Sequence, residues 1–240
     1  MLELINVTKS YAKGSVKAVD NLSLDVRDGE IFGFIGPNGA GKTTTIKMIM
    51  GVLQSDEGII KINGYDIKKN PIEAKKSIGY VPDTHTVYDV MKGREYLDFV
   101  ADVYGVSTSD RNKRIDHYLD MFSLKNAVNE PIKTYSHGMK QKLMVTAALL
   151  HNPALWVLDE PMTGLDPKAS SLLKQEMREH CRQGKTVFFS THVLEVAEKL
   201  CDRIGIINNG KLIAVGTMEE LRSGENGATL ESIFLEKTEG

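Results

Sequence analysis

The spacing of hydrophobic residues changes several times along the chain, and each spacing predicts a different element. Apolar and polar residues alternate over residues 2–7 and 19–26, which is typical of half-buried strands. Residues 58–62 and 65–67 predict two further strands, joined by a tight turn at Asn63-Gly64. The front of the chain is therefore expected to contain an antiparallel β layer.

Continuous apolar runs predict a second, more deeply buried sheet. Residues 154–158 form such a run, as a central parallel strand requires, and residues 30–35 read as another buried strand. Residues 77–81 and 185–190 add two strands. A hairpin across Asn209-Gly210 is expected to join strands at residues 204–208 and 211–215.

Helical spacing fills the middle of the chain. It predicts helices over residues 93–104 and 110–122, and a third helix that Ser136 caps and that runs to Leu150. Shorter helices are predicted elsewhere, at residues 44–51, from Pro71, at 167–182, 193–200, from Thr217 and at 230–236. The middle of the chain thus looks like an inserted helical subdomain, residues 84–150, between α/β parts at 1–83 and 151–240.

Composition narrows the class of protein. The 240 residues are 41% hydrophobic, which allows a packed core, and suggest one large domain or two small ones. The net charge of −2 gives no bulk basic field that would favour nucleic acid. No apolar run is long enough to span a membrane, and Cys181 and Cys201 lack disulfide-framework or zinc spacing. We therefore expect a cytosolic protein with reduced thiols.

One glycine-rich stretch fits the phosphate-loop pattern G-x-x-x-x-G-K-[ST] between a predicted strand and a predicted helix. Its backbone N–H groups and the helix N-terminus would hold phosphate oxygens. Lys42 would reach the β- and γ-phosphates, and the Thr43 hydroxyl would bind Mg²⁺. The predicted nucleotide-binding residues are Gly36, Pro37, Asn38, Gly39, Ala40, Gly41, Lys42, Thr43 and Thr44.

A pair of carboxylates follows the apolar strand at 154–158. Asp159 is in the position from which phosphate-loop enzymes hold Mg²⁺. Side chains alternate along an extended chain, so the adjacent Glu160 need not compete for the same place. Glu160 could then polarise the water that attacks the γ-phosphate, which makes it a candidate general base. The alternative is a solvated acid at a strand end.

The chain resembles the nucleotide-binding subunit of ATP-binding cassette (ABC) transporters over essentially its full length. Tyr11 is where that family stacks an aromatic ring on adenine. Residues 135–141 (YSHGMKQ) look like the family signature, and residues 163–166 (TGLD) resemble the loop that touches the partner subunit. His192 is at the switch-histidine position. The resemblance implies ATP and Mg²⁺ as ligands, and an α/β phosphate-loop NTPase core with an N-terminal antiparallel β layer and an inserted α-helical subdomain.

The resemblance also implies a dimer. Ser136 and Gly138 would present a hydroxyl and backbone N–H groups to the γ-phosphate held by a second ATPase subunit, identical or different, so that two subunits enclose two ATP molecules. His192 would contact the γ-phosphate and align the water. Ser136 can equally be a plain helix cap, and Tyr11 can be a packed turn aromatic.

Two positions depart from the family pattern. The signature usually carries two glycines and then glutamine, whereas this chain has His137 at the first glycine and Met139 at the glutamine. After the strand at 77–81, where the family commonly has glutamine, this chain has Asp83. A carboxylate there could bind Mg²⁺ directly or face solvent.

The residues of the signature, together with residues 96–101 (YLDFVA), look similar to those of the ATPases of bacterial ABC-2-type exporters. That resemblance implies an ATPase that powers a separate transmembrane permease from the inner face of the cell membrane, with Lys42, Glu160 and His192 as its catalytic residues. No nucleic-acid partner is expected. Two alternatives stay open: an ABC ATPase that acts on ribosomes or DNA, and an ATP-gated dimer that regulates a membrane protein.

Overall fold

A computed structural model describes residues 1–11, 16–84, 89–222 and 228–239. Part of the predicted helical subdomain, residues 85–88, therefore lies outside the described residues. In the described part, the strands form two sheets, one of four and one of six strands. No described helix is both long and apolar enough to cross a lipid bilayer.

The four-stranded sheet is antiparallel, as the alternating pattern predicts. Its order is β2 (Val16–Val26), β1 (Leu2–Tyr11), β4 (Glu57–Ile62) and β5 (Tyr65–Asp66). The tight turn at Asn63-Gly64 is confirmed, with φ of 51° and 82°. The strand predicted at residues 2–7 is longer in the structure: pairing continues to Tyr11, which ends β1 opposite Val16 and therefore does not lie in a turn.

The six-stranded sheet carries the buried strands. Its order is β10 (Lys211–Gly216), β9 (Arg203–Asn208), β3 (Ile31–Ile35), β8 (Thr186–Thr191), β7 (Leu155–Asp159) and β6 (Ile78–Val81). The strands from β9 to β6 are parallel, and β10 is antiparallel to β9. Every residue of β3, β7 and β8 is buried, which explains why their sequences do not alternate.

The predicted helices are present, with ends that move by a few residues. The first begins at Lys42 instead of Thr44, so the phosphate loop leads directly into it. The helices are α1 (Lys42–Ile49), α2 (Pro71–Lys76), α3 (Gly93–Val103), α4 (Thr108–Met121), α5 (His137–Leu149), α6 (Pro167–Arg182), α7 (Leu194–Leu200), α8 (Met218–Leu221) and α9 (Leu230–Glu239), with a 3₁₀ turn at Ile132–Thr134.

The middle helices and the large sheet share one hydrophobic core. Leu97 of α3 and Leu143 of α5 belong to the same buried cluster as Trp156 and Phe189 of the sheet. The second half of α5 lies so close to β6 that a Cβ atom on Gly79 would come within 2.4 Å of the Ala148 carbonyl oxygen. The signature helix α5 therefore connects the helical region to the parallel sheet.

Candidate active site

The carboxyl ends of β3, β7 and β8 meet at one edge of the sheet, because these parallel strands are close neighbours. The phosphate loop leaves β3 at this edge. Asp159 ends β7, and His192 directly follows β8. The sheet order thus brings together three segments that lie far apart in the sequence.

Glycine is required twice in the phosphate loop. A Cβ atom on Gly36 would lie 2.3 Å from the Ile207 carbonyl oxygen of β9. Gly41 has φ of 109°, and a Cβ atom there would lie 2.4 Å from the Ala18 carbonyl oxygen of β2. The backbone of both sheets therefore presses on the loop at positions where no larger residue fits.

The Lys42 ammonium is held inside the loop. Nζ donates to the Gly36 carbonyl oxygen at 2.6 Å and to the Pro37 carbonyl oxygen at 3.1 Å. Burial lowers the pKa of Lys42, and the charges of Glu160 and Asp159 oppose that shift. A phosphate oxygen is a better acceptor for this buried cation than a neutral carbonyl.

Asp159 is buried at the end of β7, where its side chain is fixed by β8. The Ser190 hydroxyl donates a short hydrogen bond to Asp159 Oδ1. Burial raises the pKa of Asp159, the bond from Ser190 opposes that shift, and the nearby Asp83 and Glu160 carboxylates raise the pKa further. A cation placed among these acids would relieve their repulsion.

Glu160 occupies an unusual backbone position for a residue with a side chain. Its φ is 49°, in the left-handed region, and its amide donates to the Ser190 carbonyl oxygen at 3.2 Å. Carboxylate oxygen Oε2 lies 2.9 Å from His192 Nδ1 and 3.3 Å from the His192 amide nitrogen, which donates to it. Left-handed residues that are not glycine concentrate at functional sites.

A cavity of about 240 Å³ contains most of these groups. The oxygen ligands expected for Mg²⁺, from Thr43, Asp83 and Asp159, all line it. Mg²⁺ usually takes one or two carboxylates and completes its shell with water and substrate phosphate, so this donor set fits Mg²⁺. The complete lining is Ala18, Asn38, Gly39, Gly41, Lys42, Thr43, Thr44, Asp83, Asp159 and Glu160.

Comparison with known proteins identifies the family of the chain. A profile of the family described as ABC transporter matches residues 19–163. The chain belongs to the ABC transporter family.

Two curated relatives point to a subgroup of ABC transporters. The linearmycin resistance ATP-binding protein LnrL of Bacillus subtilis is 39% identical over 230 residues, which cover 96% of this chain and 73% of that protein. The Nod factor export ATP-binding protein I of Ralstonia nicotianae is 35% identical over 234 residues, covering 98% of this chain and 72% of that protein. They support the identification as an ABC-2-type exporter ATPase.

Solved structures confirm the fold of an ABC cassette. The ATP-binding subunit of an ABC transporter superposes with a TM-score of 0.94 at 35% identity, over 98% of both chains. A dimeric, post-hydrolysis ATP-binding cassette, MJ0796, bound to ADP and Pi, has a TM-score of 0.81 at 26% identity and covers 91% of this chain and 99% of that one. The α/β phosphate-loop fold predicted from the sequence is therefore confirmed.

Four residues predicted from the ABC resemblance to contact the nucleotide, Tyr11, Ser136, Gly138 and His192, do not line the cavity in this chain. Ser136 caps α5, where its hydroxyl accepts from the Met139 amide at 3.2 Å, and neither Ser136 nor Gly138 lines the cavity. Tyr11 is 44% exposed at the end of β1 and is likewise not part of the lining. Contacts of these residues with a nucleotide remain predictions.

Sequence reasoning missed several residues that shape the ABC site. Ala18 lines the cavity, and the Ser190 hydroxyl donates a hydrogen bond to Asp159. Gln141 is buried, and its side-chain amide donates a hydrogen bond to the Pro161 carbonyl oxygen. Ser190 could have been found, since it is a polar residue in a run of apolar strand residues. Nothing in the local sequence around Ala18 marks it, because only the sheet packing brings it to the loop.

Proposed function

We propose that this chain is the ATP-hydrolysing subunit of an exporter, that it dimerises with ATP between its subunits, and that it powers a separate transmembrane subunit. The observation that carries the proposal is the Glu160–His192 contact beside Lys42 and Asp159. This contact supports the proposal because Glu160 would act as the base, with His192 as its orienting partner, on a γ-phosphate held by the phosphate loop. The names of two relatives, which refer to linearmycin resistance and Nod factor export, favour export.

When ATP binds, the Lys42 ammonium exchanges its hydrogen bonds to the loop carbonyls for hydrogen bonds to β- and γ-phosphate oxygens. Thr43, Asp159 and Asp83 would hold Mg²⁺, which supplies positive charge beside the phosphates when bound. Ser190 keeps Asp159 in place through its hydrogen bond. The buried lysine and the loop amides then stabilise the charge that develops as the terminal phosphoryl group is transferred.

Glu160 and His192 act on water. Glu160 accepts a proton as the water oxygen bonds to the γ-phosphorus, while the bond from phosphorus to the bridging oxygen breaks and its electrons leave with ADP. His192 fixes the carboxylate through Oε2. Ser136 and Gly138 of a second subunit cover the γ-phosphate, since they lie away from the cavity of their own chain.

The proposal is tested by co-expressing the chain with a neighbouring-gene product that carries about six apolar spans of about 20 residues, and purifying the two together. We expect the membrane protein to co-purify and to stimulate ATP hydrolysis, and we expect Glu160→Gln to keep co-purification but lose turnover. Stimulation by ribosomes or DNA instead would favour the alternative ABC class. ATP-driven dimerisation without turnover in the wild type would favour a regulatory dimer.

A further inference from the structure

A buried amide links the signature helix to the segment after β7. Gln141 lies in the second turn of α5 and is 1% exposed. Its Nε2 donates to the Pro161 carbonyl oxygen at 2.9 Å, across 20 residues of sequence. A buried amide is costly unless it is hydrogen-bonded, so packing alone does not account for a glutamine at this position.

The acceptor of this bond belongs to the residue next to Glu160. Glu160 has a left-handed backbone, and a residue before proline has few allowed conformations. On one side its amide is held by the Ser190 carbonyl oxygen of β8 at 3.2 Å. On the other side the Glu160–Pro161 turn is held by Gln141. The direction of the Glu160 side chain therefore depends on anchors from two different elements.

The same part of α5 contacts the rest of the loop. A Cβ atom on Gly138 would lie 2.7 Å from the Gly164 carbonyl oxygen. Lys142 forms a salt bridge of 3.0 Å with Asp166, which also caps α6 through the Ala169 amide at 2.8 Å. These contacts hold residues 161–166 along α5, and the Gln141 bond is the contact that reaches the residue adjoining Glu160.

We propose that Gln141 is a positioning residue for Glu160. Its amide fixes the turn that orients the Glu160 carboxylate, and so it joins the helix that Ser136 caps to the proposed base of the same subunit. This inference rests on the proposed role of Glu160 as the base. Loss of the Gln141 bond is expected to lower kcat and leave ATP affinity unchanged, because Gln141 does not line the nucleotide cavity.

The first test replaces the amide by an apolar group of similar length. We expect Gln141→Met to lower kcat about 10- to 100-fold, the size of effect that a small displacement of a reacting group produces, with KM for ATP within about twofold. Thr146→Val on the same helix is the matched control. Thr146 is fully buried and its hydroxyl donates to the Lys142 carbonyl oxygen at 2.9 Å, so the change affects stability without touching the loop.

A double mutant separates positioning from general damage. In a Glu160→Gln background the base is already lost, so Gln141→Met should lower the residual rate by less than about twofold while lowering Tm as much as in the wild type. An equal fold-loss of rate in both backgrounds would overturn the proposal. If Glu160→Gln alone kept the wild-type rate, the result would contradict the proposed role of Glu160 as the base, and so it can be told apart from a failure of the Gln141 proposal.

A second variant covers the case in which Gln141→Met does not fold. Gln141→Glu keeps the size, but its ionised form can only accept a hydrogen bond and would repel the Pro161 carbonyl oxygen. The protonated acid can donate, and burial raises the pKa of a carboxyl group. The kcat ratio of variant to wild type should therefore rise several-fold as the pH falls from 8 to 6. A ratio that does not change with pH would overturn the proposal.

Discussion

The His192 imidazole nitrogen Nδ1 lies 2.9 Å from Oε2 of Glu160, and the same oxygen accepts the His192 amide at 3.3 Å. The two residues meet because Asp159 of β7 is paired with Ser190 of β8, which brings the residues after each strand to the same place. A carboxylate can only accept, so Nδ1 carries the proton. The contact therefore sets both the tautomer of the ring and the orientation of the acid.

Removal of this contact is expected to affect chemistry more than binding. His192→Ala should lower kcat about 10²-fold, the usual cost of losing a group that serves acid–base chemistry, while Kd for ATP changes less than about threefold. Single-turnover hydrolysis and equilibrium ATP binding measure the two quantities. His117→Ala, at an exposed position on α4, is the control. A parallel loss of affinity in His192→Ala would indicate a binding role.

Lys42→Ala should abolish measurable ATP binding at micromolar nucleotide. The variant removes the buried ammonium that would neutralise β- and γ-phosphate charge, and the loop carbonyls of Gly36 and Pro37 lose their donor. Binding of a fluorescent ATP analogue provides the measurement. Lys47→Ala, which removes an exposed lysine from the same helix, should bind as the wild type does. Near-normal affinity of Lys42→Ala would remove the phosphate-loop assignment.

The fold could be predicted well from local patterns, and the errors have physical causes. Strand type followed from burial, because alternation marks the half-exposed layer and continuous apolar runs mark β3, β7 and β8. The end of β1 was missed because strand pairing with Val16 continues into a polar stretch that reads as a turn. Pairing depends on a partner strand, and local composition does not report it.

The site was predictable where one segment supplies the chemistry. The phosphate loop and the Asp159-Glu160 pair are contiguous, so residue types and spacing revealed them. Gln141 and Ser190 act across 20 and 31 residues of sequence, and their contacts exist only once α5 lies against the segment after β7 and β8 is paired with β7. Residues of this kind look like ordinary helix or strand positions until the tertiary structure is known.

Acid should destabilise the protein through His180. Burial lowers the pKa of this residue to about 4, and the nearby Lys185 charge adds to the effect. As the pH falls below about 6.5, the unfolded chain takes up a proton that the folded chain does not, so stability is lost between about pH 6.5 and 4. From pH 7.5 to 5.5 the expected loss for this group is about 1 kcal/mol.

His180→Gln should reduce that acid sensitivity. Unfolding free energies from urea titrations at pH 7.5 and 5.5 should differ by about 1 kcal/mol less in the variant than in the wild type. His117→Gln, at an exposed site, should keep the wild-type difference. The assignment fails if His180→Gln loses as much stability on acidification as the wild type does.

Ser136→Arg should separate binding from hydrolysis. The residue lies outside the cavity of its own chain, so ATP binding to the monomer should stay within about twofold. Hydrolysis should be lost, since the large cation would block the γ-phosphate site of the second subunit. Dimers that combine Ser136→Arg with Lys42→Ala contain at most one intact composite site. Activity of the mixed dimers, when neither variant hydrolyses ATP alone, would show that the subunits complete each other's sites. Lost ATP binding in the Ser136 variant would instead place that residue in its own subunit's site.

Glu160 and Asp159 should respond differently to the loss of one charge each. Glu160→Gln keeps the shape and a hydrogen-bonding group beside His192 but cannot accept the proton, so hydrolysis should fall roughly 10²–10⁴-fold while ATP still binds. With hydrolysis slowed, an ATP-bound dimer should accumulate and elute early in size-exclusion chromatography with MgATP. Asp159→Asn should instead weaken Mg²⁺ and nucleotide binding together, because Asp159 is the buried carboxylate fixed by Ser190.

The comparison of the two variants decides between separate roles and a shared one. Titration of ATP binding with and without Mg²⁺ should show a Mg²⁺-dependent gain in affinity for the wild type and Glu160→Gln, and a reduced gain for Asp159→Asn. Hydrolysis by Glu160→Gln close to the wild-type rate would exclude this residue as the base. An equal loss of nucleotide affinity in both variants would mean that the two carboxylates serve one structural purpose, because a general base contributes to the transition state and not to the bound ground state.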